Sequence, residues 1–312
     1  MGSLPRWGIV SLLIITLLPA LAFAHAPYAE ANIFGDSLSD AGNVFSLTNG
    51  AIPDPAIYWN GRASNGPVWV ESLAPMLGIP TPAPIAFGGT NFACYGGPAA
   101  GEGLAPPSMN VQLRLRLDMN RPITPNDLII LWGGANDIFN CLKTHGDLSL
   151  SPAVPATAVA GQIGALAGAG ARKFLVANLP PLGSTPDARG TVLEGPLNTW
   201  SEGFNAALAT HVAQLLTTLP GDVEIHWLDV YDLFGKVFAD PGRYGFTNVT
   251  DAAVLVPAAD PDEYLFWDSV HPTAAGHRFL TTEAYNVLVP EPGSIAVILL
   301  GCTALAFRRR AA

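Results

Sequence analysis

The chain has 312 residues, 49% of them hydrophobic, and a formal net charge of −10, which is enough apolar material for a buried core. Four basic residues, Arg6, Arg308, Arg309 and Arg310, lie at the two ends, so the middle is more acidic still. An acidic chain without a basic stripe repels phosphate backbones, which excludes nucleic acid as a partner.

In chain order, the first segment reads as an address rather than as fold. Arg6 precedes an apolar run from Trp7 to Phe23 that closes on Ala22-Phe23-Ala24. That is the pattern of a signal peptide, residues 1–24, cleaved before His25. A membrane-anchoring first helix is the alternative. Residues 25–289 form the expected single domain. Short apolar runs alternate there with helical patterns, the mark of βαβ units and a parallel sheet. Strands are expected over Ala29–Phe34, Asp127–Trp132, Arg172–Asn178 and Val223–Val230, with a weaker one over Ile85–Phe92. The run Leu128-Ile129-Ile130-Leu131 fits a strand buried on both faces.

Helices are expected over Pro67–Leu77, Met109–Met119 (amphipathic), Ala153–Ala169, Leu197–Leu219 and Ala274–Leu288. Pro near the start of the first and Pro220 after the fourth are boundary signals. Pro- and Gly-rich stretches at residues 79–84, 96–107 and 180–195 read as loops. Cys94 and Cys141 are either a disulfide in an oxidising compartment or two separate thiols, since geometry decides. The third cysteine, Cys302, falls in the apolar tail.

Residues 290–312 form a second address. Pro290-Glu291-Pro292 precedes 15 uncharged residues, Gly293 to Phe307, and then three arginines. The apolar stretch is short of the ~20 residues that span a bilayer, and the arginines act as a positive-inside stop. The three-part order resembles a PEP-CTERM sorting signal. That resemblance implies an exported protein in a Gram-negative envelope, transiently held in the membrane and then released by a sorting protease. A permanent tail anchor is the alternative.

Chemistry concentrates after the first strand. Gly35-Asp36-Ser37-Leu38-Ser39-Asp40 must turn sharply there, and glycine permits the turn. A lone serine at such a place is most often a helix cap. This one stands in the run from Gly35 to Asn43, followed in order by Gly89-Thr90-Asn91-Phe92-Ala93 running on to Gly96-Gly97, by Gly134-Ala135-Asn136-Asp137, and by Asp268-Ser269-Val270-His271-Pro272. Together these resemble the ordered blocks of the GDSL/SGNH hydrolases, lipase-like branch. Residues 60–67, Asn-Gly-Arg-Ala-Ser-Asn-Gly-Pro, and residues 244–248 are similar to further stretches of that branch.

The resemblance implies a three-layer α/β/α sandwich with a parallel sheet of about five strands, and a serine esterase or lipase that works without metal or cofactor. Its triad would be Ser37, His271 and Asp268. A serine hydroxyl needs a base within reach. His271 can take and return the proton, and Asp268, three residues earlier, can fix its tautomer. The oxyanion donors would be Ser37 N–H, at the start of a helix whose dipole favours negative charge, together with Asn136 and Gly96. Gly97 is the neighbouring candidate, because Cys94-Tyr95 departs from the usual spacing. The partner is an ester: a lipid, a small ester or an acetylated glycan. A polysaccharide acetylesterase and a non-catalytic envelope protein of the same fold are the rival readings. Tyr58, Trp59, Phe266 and Trp267 flank the blocks and either line a pocket or pack the core. His145, His211, His226 and His277 are scattered and read as surface or structural residues.

Overall fold

The structure, a computed structural model, describes residues 28–289. The expected signal peptide with its cleavage point, and the sorting segment 290–312, lie outside the described residues.

Four parallel strands, β1 (Ala31–Gly35), β2 (Leu128–Trp132), β3 (Lys173–Ala177) and β4 (Glu224–Leu228), form one sheet in the order β1-β2-β3-β4. β1, β2 and most of β3 are buried, as the unbroken apolar run of β2 and the largely apolar β1 and β3 require. Side chains alternate between the two faces. Leu128, Ile130, Trp132 and Leu175 pack against α2 (Trp69–Met76), α7 (Val230–Ala239) and α8 (Ala274–Leu288). Phe34, Ile129, Leu131 and Phe174 pack against α3 (Met109–Asp118), α5 (Ala153–Gly168) and α6 (Glu194–Leu216). The result is the expected three-layer sandwich. α5 buries Ala156, Val159, Ala160, Ile163, Leu166 and Ala167, a helical stripe.

The expected fifth strand is reduced to an edge. Ile85–Phe87 is a 3₁₀ turn, and Asn91 alone bridges to Ile33. Backbone bonds still tie Thr90–Cys94 to β1: Ile33 N to Thr90 O (3.0 Å), Phe92 N to Ile33 O (2.8 Å) and Cys94 N to Gly35 O (3.1 Å). Residues 83–85 fold back onto Asn91 from the other side, so tightly that a Cβ on Gly89 would stand 2.0 Å from Ala83 O. The route from β1 to this edge passes through α2 on one face; the route back to β2 passes through α3 on the other. The end of β1 is therefore where the connections diverge, the place where open α/β sheets bind ligands.

Three helices were not anticipated: α1 (Asn43–Leu47), α4 (Ala135–His145) and α7. So was a small parallel pair, β5 (Asn248–Ala252) with β6 (Tyr264–Phe266). Cys94 and Cys141 are both free thiols. Cys94 is buried beside β1, with Sγ 3.4 Å from Phe92 O. Cys141, on α4, turns its thiol to Asp147 and Ser149, each at 3.7 Å. The separate-thiol reading holds and the disulfide does not.

α3 departs from the expected amphipathic pattern. Leu115 and Leu117 are exposed, whereas Gln112 and Arg116 are buried. The inversion has a cause in β1. Gln112 Oε1 accepts Gly35 N–H at 2.9 Å, and its Nε2 donates to Gly35 O at 2.8 Å. Arg116 Nε donates to Asn32 Oδ1 at 2.6 Å. The helix turns polar side chains inward because the edge of β1 beyond Asn91 presents backbone groups that must be bonded. Gln112→Ala is expected to leave Gly35 N–H without that acceptor, costing about 2 kcal/mol and lowering the thermal midpoint by roughly 4–8 °C. Exposed Leu115→Ala should stay within about 0.5 kcal/mol of wild type. A melt that ranks the two variants equally would contradict the assignment.

Candidate active site

Gly35 ends β1 against β2 so closely that a Cβ on it would lie 2.4 Å from Trp132 O. Beyond it Asp36 O accepts from Ser39 N (3.1 Å) and Asp40 N (3.0 Å), a tight turn that presents Ser37 at the sheet edge. The helix expected directly after Ser37 is absent. Gly42, at φ 112, interrupts the chain, and α1 starts only at Asn43 and runs five residues. Asp40 holds the gap by accepting from the backbone N–H of Gly42, Asn43, Val44 and Tyr95. The expected helix dipole therefore does not act at Ser37.

β6 delivers the other half of the site. After Phe266 the chain makes a turn closed by Trp267 N to His271 O (2.8 Å). Asp268 Oδ1 accepts from the backbone N–H of Val270 (2.8 Å) and His271 (2.7 Å). Its Oδ2 lies 2.7 Å from His271 Nδ1, and His271 Nε2 lies 2.8 Å from Ser37 Oγ. Burial pushes the Asp268 carboxyl up. The charge and hydrogen bond of His271, the Tyr58 hydroxyl and the Val270 N–H outweigh that and hold it at about 2. An ionised carboxylate only accepts, so Nδ1 carries the proton and Nε2 is left to accept from Ser37.

Ser37, Gly96 and Asn136 line one cavity of about 190 Å³ with His271. Gly97 does not line it, and its N–H is engaged by Cys94 O at 2.8 Å. Gly96 sits at φ +76, a conformation that favours glycine. Asn136 lies in the first turn of α4, and its Nδ2 donates to Gly97 O at 3.3 Å. The cavity wall is mostly apolar: Trp132, Phe139, Leu182, Phe234 and Phe266.

Of the flanking aromatics, Phe266 lines the cavity, and Tyr58 donates from its hydroxyl to Asp268 Oδ2 at 2.6 Å. Trp59 is exposed under the Arg62 guanidinium, and Trp267 lies in the turn without reaching the cavity. Sequence reasoning missed Tyr95, whose ring stands 5.5 Å from His271, and the bonding role of Tyr58. Only the proximity of residues 58–67 to a family block in sequence hinted at the latter. His277 is buried with Nδ1 3.4 Å from Trp69 N, and His211 meets Thr157 at 3.2 Å, so both are structural. Among the described residues no three His, Cys, Asp or Glu side chains gather as metal ligands would.

Two further carboxyls are buried beside the site. Burial pushes Asp36 up to about 6, against the N–H of Leu38 and the charge of His271. Burial likewise pushes Asp137 up to about 6, against the N–H groups of Ala100 and Ala99. A raised folded pKa means that the folded chain keeps a proton which the unfolded chain has already released. Each group therefore costs stability progressively as pH rises from about 4 to about 6. Asp268 has the opposite sign: its stabilisation is present above about pH 4 and lost as pH falls toward 2. Asp36→Asn keeps an oxygen for Leu38 N–H and removes the buried charge. Its thermal midpoint is expected to gain on wild type between about pH 4 and 6 and to hold that gain above. A gain that does not depend on pH would show that charge is not the cause.

The family model for GDSL-like Lipase/Acylhydrolase matches residues 33–283. Among curated proteins the chain is similar to phosphatidylcholine-sterol acyltransferase of Aeromonas hydrophila, 28% identical over 336 residues, covering 89% of this chain and 96% of that one. It is also similar to GDSL esterase/lipase EXL2 of Arabidopsis thaliana, 26% identical over 364 residues, covering 91% and 96%. Among solved structures it is similar in fold to Axe2, an acetylxylan esterase from Geobacillus stearothermophilus. The TM-score is 0.50 at 14% identity, over 86% of this chain and 98% of that one. The reading as a non-catalytic envelope protein gives way to these relatives. The chain belongs to the GDSL-like lipase/acylhydrolase family and is a serine ester hydrolase.

Proposed function

We propose that the protein hydrolyses esters of an apolar acyl group through an acyl-Ser37 intermediate, with His271 as general base and acid and Asp268 as its orienting partner. The observation that carries this reading is the continuous line from Ser37 Oγ through the His271 ring to Asp268, at 2.8 and 2.7 Å, beside an apolar cavity. Ser37 Oγ attacks the ester carbonyl carbon while its proton passes to His271 Nε2. The oxyanion that forms is held by Ser37 N–H, Gly96 N–H and Asn136 Nδ2. Collapse breaks the bond to the alcohol, which leaves with the proton from His271. Water, activated by the same nitrogen, then releases the acid. The acyltransferase among the relatives supports an acyl-enzyme, since transfer and hydrolysis differ only in the acceptor.

The cavity favours a short or medium aliphatic acyl chain over an acetylated sugar. Beyond the polar groups clustered at Ser37 and His271, its walls are largely apolar, with Trp132, Phe139, Leu182, Phe234 and Phe266. The terminal segments complete the proposal: export directed by residues 1–24, and transient membrane retention through residues 290–312 until a sorting protease removes them. The sequence patterns alone support that part.

Ser37→Ala and His271→Ala are each expected to lower kcat by about 10³-fold or more, with the double variant hardly worse, since the three act as a unit. Asn136→Ala should cost about 10²–10³-fold with little change in KM. A Ser37→Ala enzyme that cleaves an aryl ester near the wild-type rate would remove the nucleophile from the scheme. Acetyl esters cleaved faster than medium-chain esters would favour the polysaccharide acetylesterase instead. Intact mass of the protein from its native host should lack both residues 1–24 and Arg308–Arg310; a mature form that keeps both ends would refute export and processing.

A further inference from the structure

The stretch from Tyr58 to Gly66 has no part in the acyl-transfer steps, yet it is fastened to the turn that bears Asp268 and His271. Tyr58 OH donates to Asp268 Oδ2 at 2.6 Å. Ser64 Oγ donates to Pro272 O at 2.9 Å, and Asn65 Oδ1 accepts from Ala274 N, the first residue of α8, at 2.7 Å. Internal bonds brace the stretch: Trp59 N to Ser64 O and Arg62 N to Trp59 O, both 2.9 Å. Arg62 is paired with Glu71 of α2 at 2.5 Å. Gly61 presses so close to Phe45 that a Cβ there would lie 2.4 Å from it. Tyr58 therefore reaches the carboxylate from a segment fixed on both sides.

We propose that Tyr58 is a positioning residue for ester hydrolysis, acting through Asp268 on His271. The proposal rests on the roles given above to Asp268 and His271. A carboxylate has about four lone-pair sites. Here the backbone N–H groups of Val270 and His271 fill those of Oδ1, and His271 Nδ1 and Tyr58 OH share Oδ2. The Tyr58 bond fixes the carboxylate against rotation away from the imidazole. Burial, then the Asp268 hydrogen bond and charge, push the Tyr58 hydroxyl well up, so it remains a donor across the working range.

The other groups that face His271 are Asp36 from the turn after β1, Tyr95 from the loop after Asn91, Ser37, and His277 on α8. Without the Tyr58 hydroxyl, Oδ2 is free to turn away from Nδ1, and the imidazole loses the fixed partner that holds its tautomer.

Tyr58→Phe tests this, because the ring stays and only the hydroxyl goes. In the full-length enzyme kcat is expected to fall about tenfold with KM nearly unchanged, the loss of one hydrogen bond to a charged group. The fall should appear in kcat and not in KM, the split expected of a group that acts through Asp268 without touching substrate. Ser64→Ala is the comparator: it removes a clasp without touching the carboxylate, so it should lower the thermal midpoint and leave kcat near wild type. Tyr58→Phe with wild-type kcat would overturn the proposal, as would an equal fall in kcat in Ser64→Ala. Ser37→Ala, assayed alongside, separates the two levels. If it stays active, the acyl-serine reading fails. If it is inactive while Tyr58→Phe behaves as wild type, only the role of Tyr58 fails.

Discussion

The Asp268 carboxylate, buried and holding four donors, joins parts of the chain that lie far apart in sequence. Two donors come from its own turn, one from His271 and one from a residue 210 positions earlier. Four bonds to one carboxylate keep it ionised despite burial, and an ionised carboxylate dictates which imidazole nitrogen carries the proton. The direction of the bond from Ser37 to His271 follows from that choice. A neutral or misplaced Asp268 would leave the ring free to present the wrong tautomer to the serine.

The Ser37 half of the site depends on a different constraint, the way β1 ends. Gly35 allows β1 to approach Trp132 O, and Gln112 and Cys94 then complete its bonds. A side chain from α3 thus does the work of the missing neighbour strand at the point where the edge gives out. The two halves meet because the small sheet of β5 and β6 carries the Asp268 turn to the same end of the main sheet. Polarity is concentrated where the fold changes direction, while β2 at the centre of the sheet is apolar on both faces.

The strands with unbroken apolar runs were legible in sequence, since a strand covered on both faces leaves no other pattern. Ser37, Asn136, Asp268 and His271 were legible as candidates because each lies in a short contiguous block. What escaped were features set by contacts between distant segments. α3 looked amphipathic by residue type, but its inward face answers to the backbone of β1, which no local window contains. The edge near Asn91 looked like a strand by hydropathy, yet the fold-back at Gly89, which sets Pro84 against Asn91, reduces it to a bridge. The helix expected after Ser37 failed for the converse reason: Asp40 satisfies the backbone N–H groups of a turn and removes the need for one. Tyr58 could not be told from a pocket or core aromatic, since its partner is fixed only by the fold.

Ser37 and His271 are separated by 234 positions, and the hydrogen bond between them closes nearly the whole described chain. A chain that ends after β4 already holds its serine, yet the imidazole that the fold sets beside it is not part of it. The pairing is consequently a property of the finished molecule and not of any fragment that stops short of residue 271.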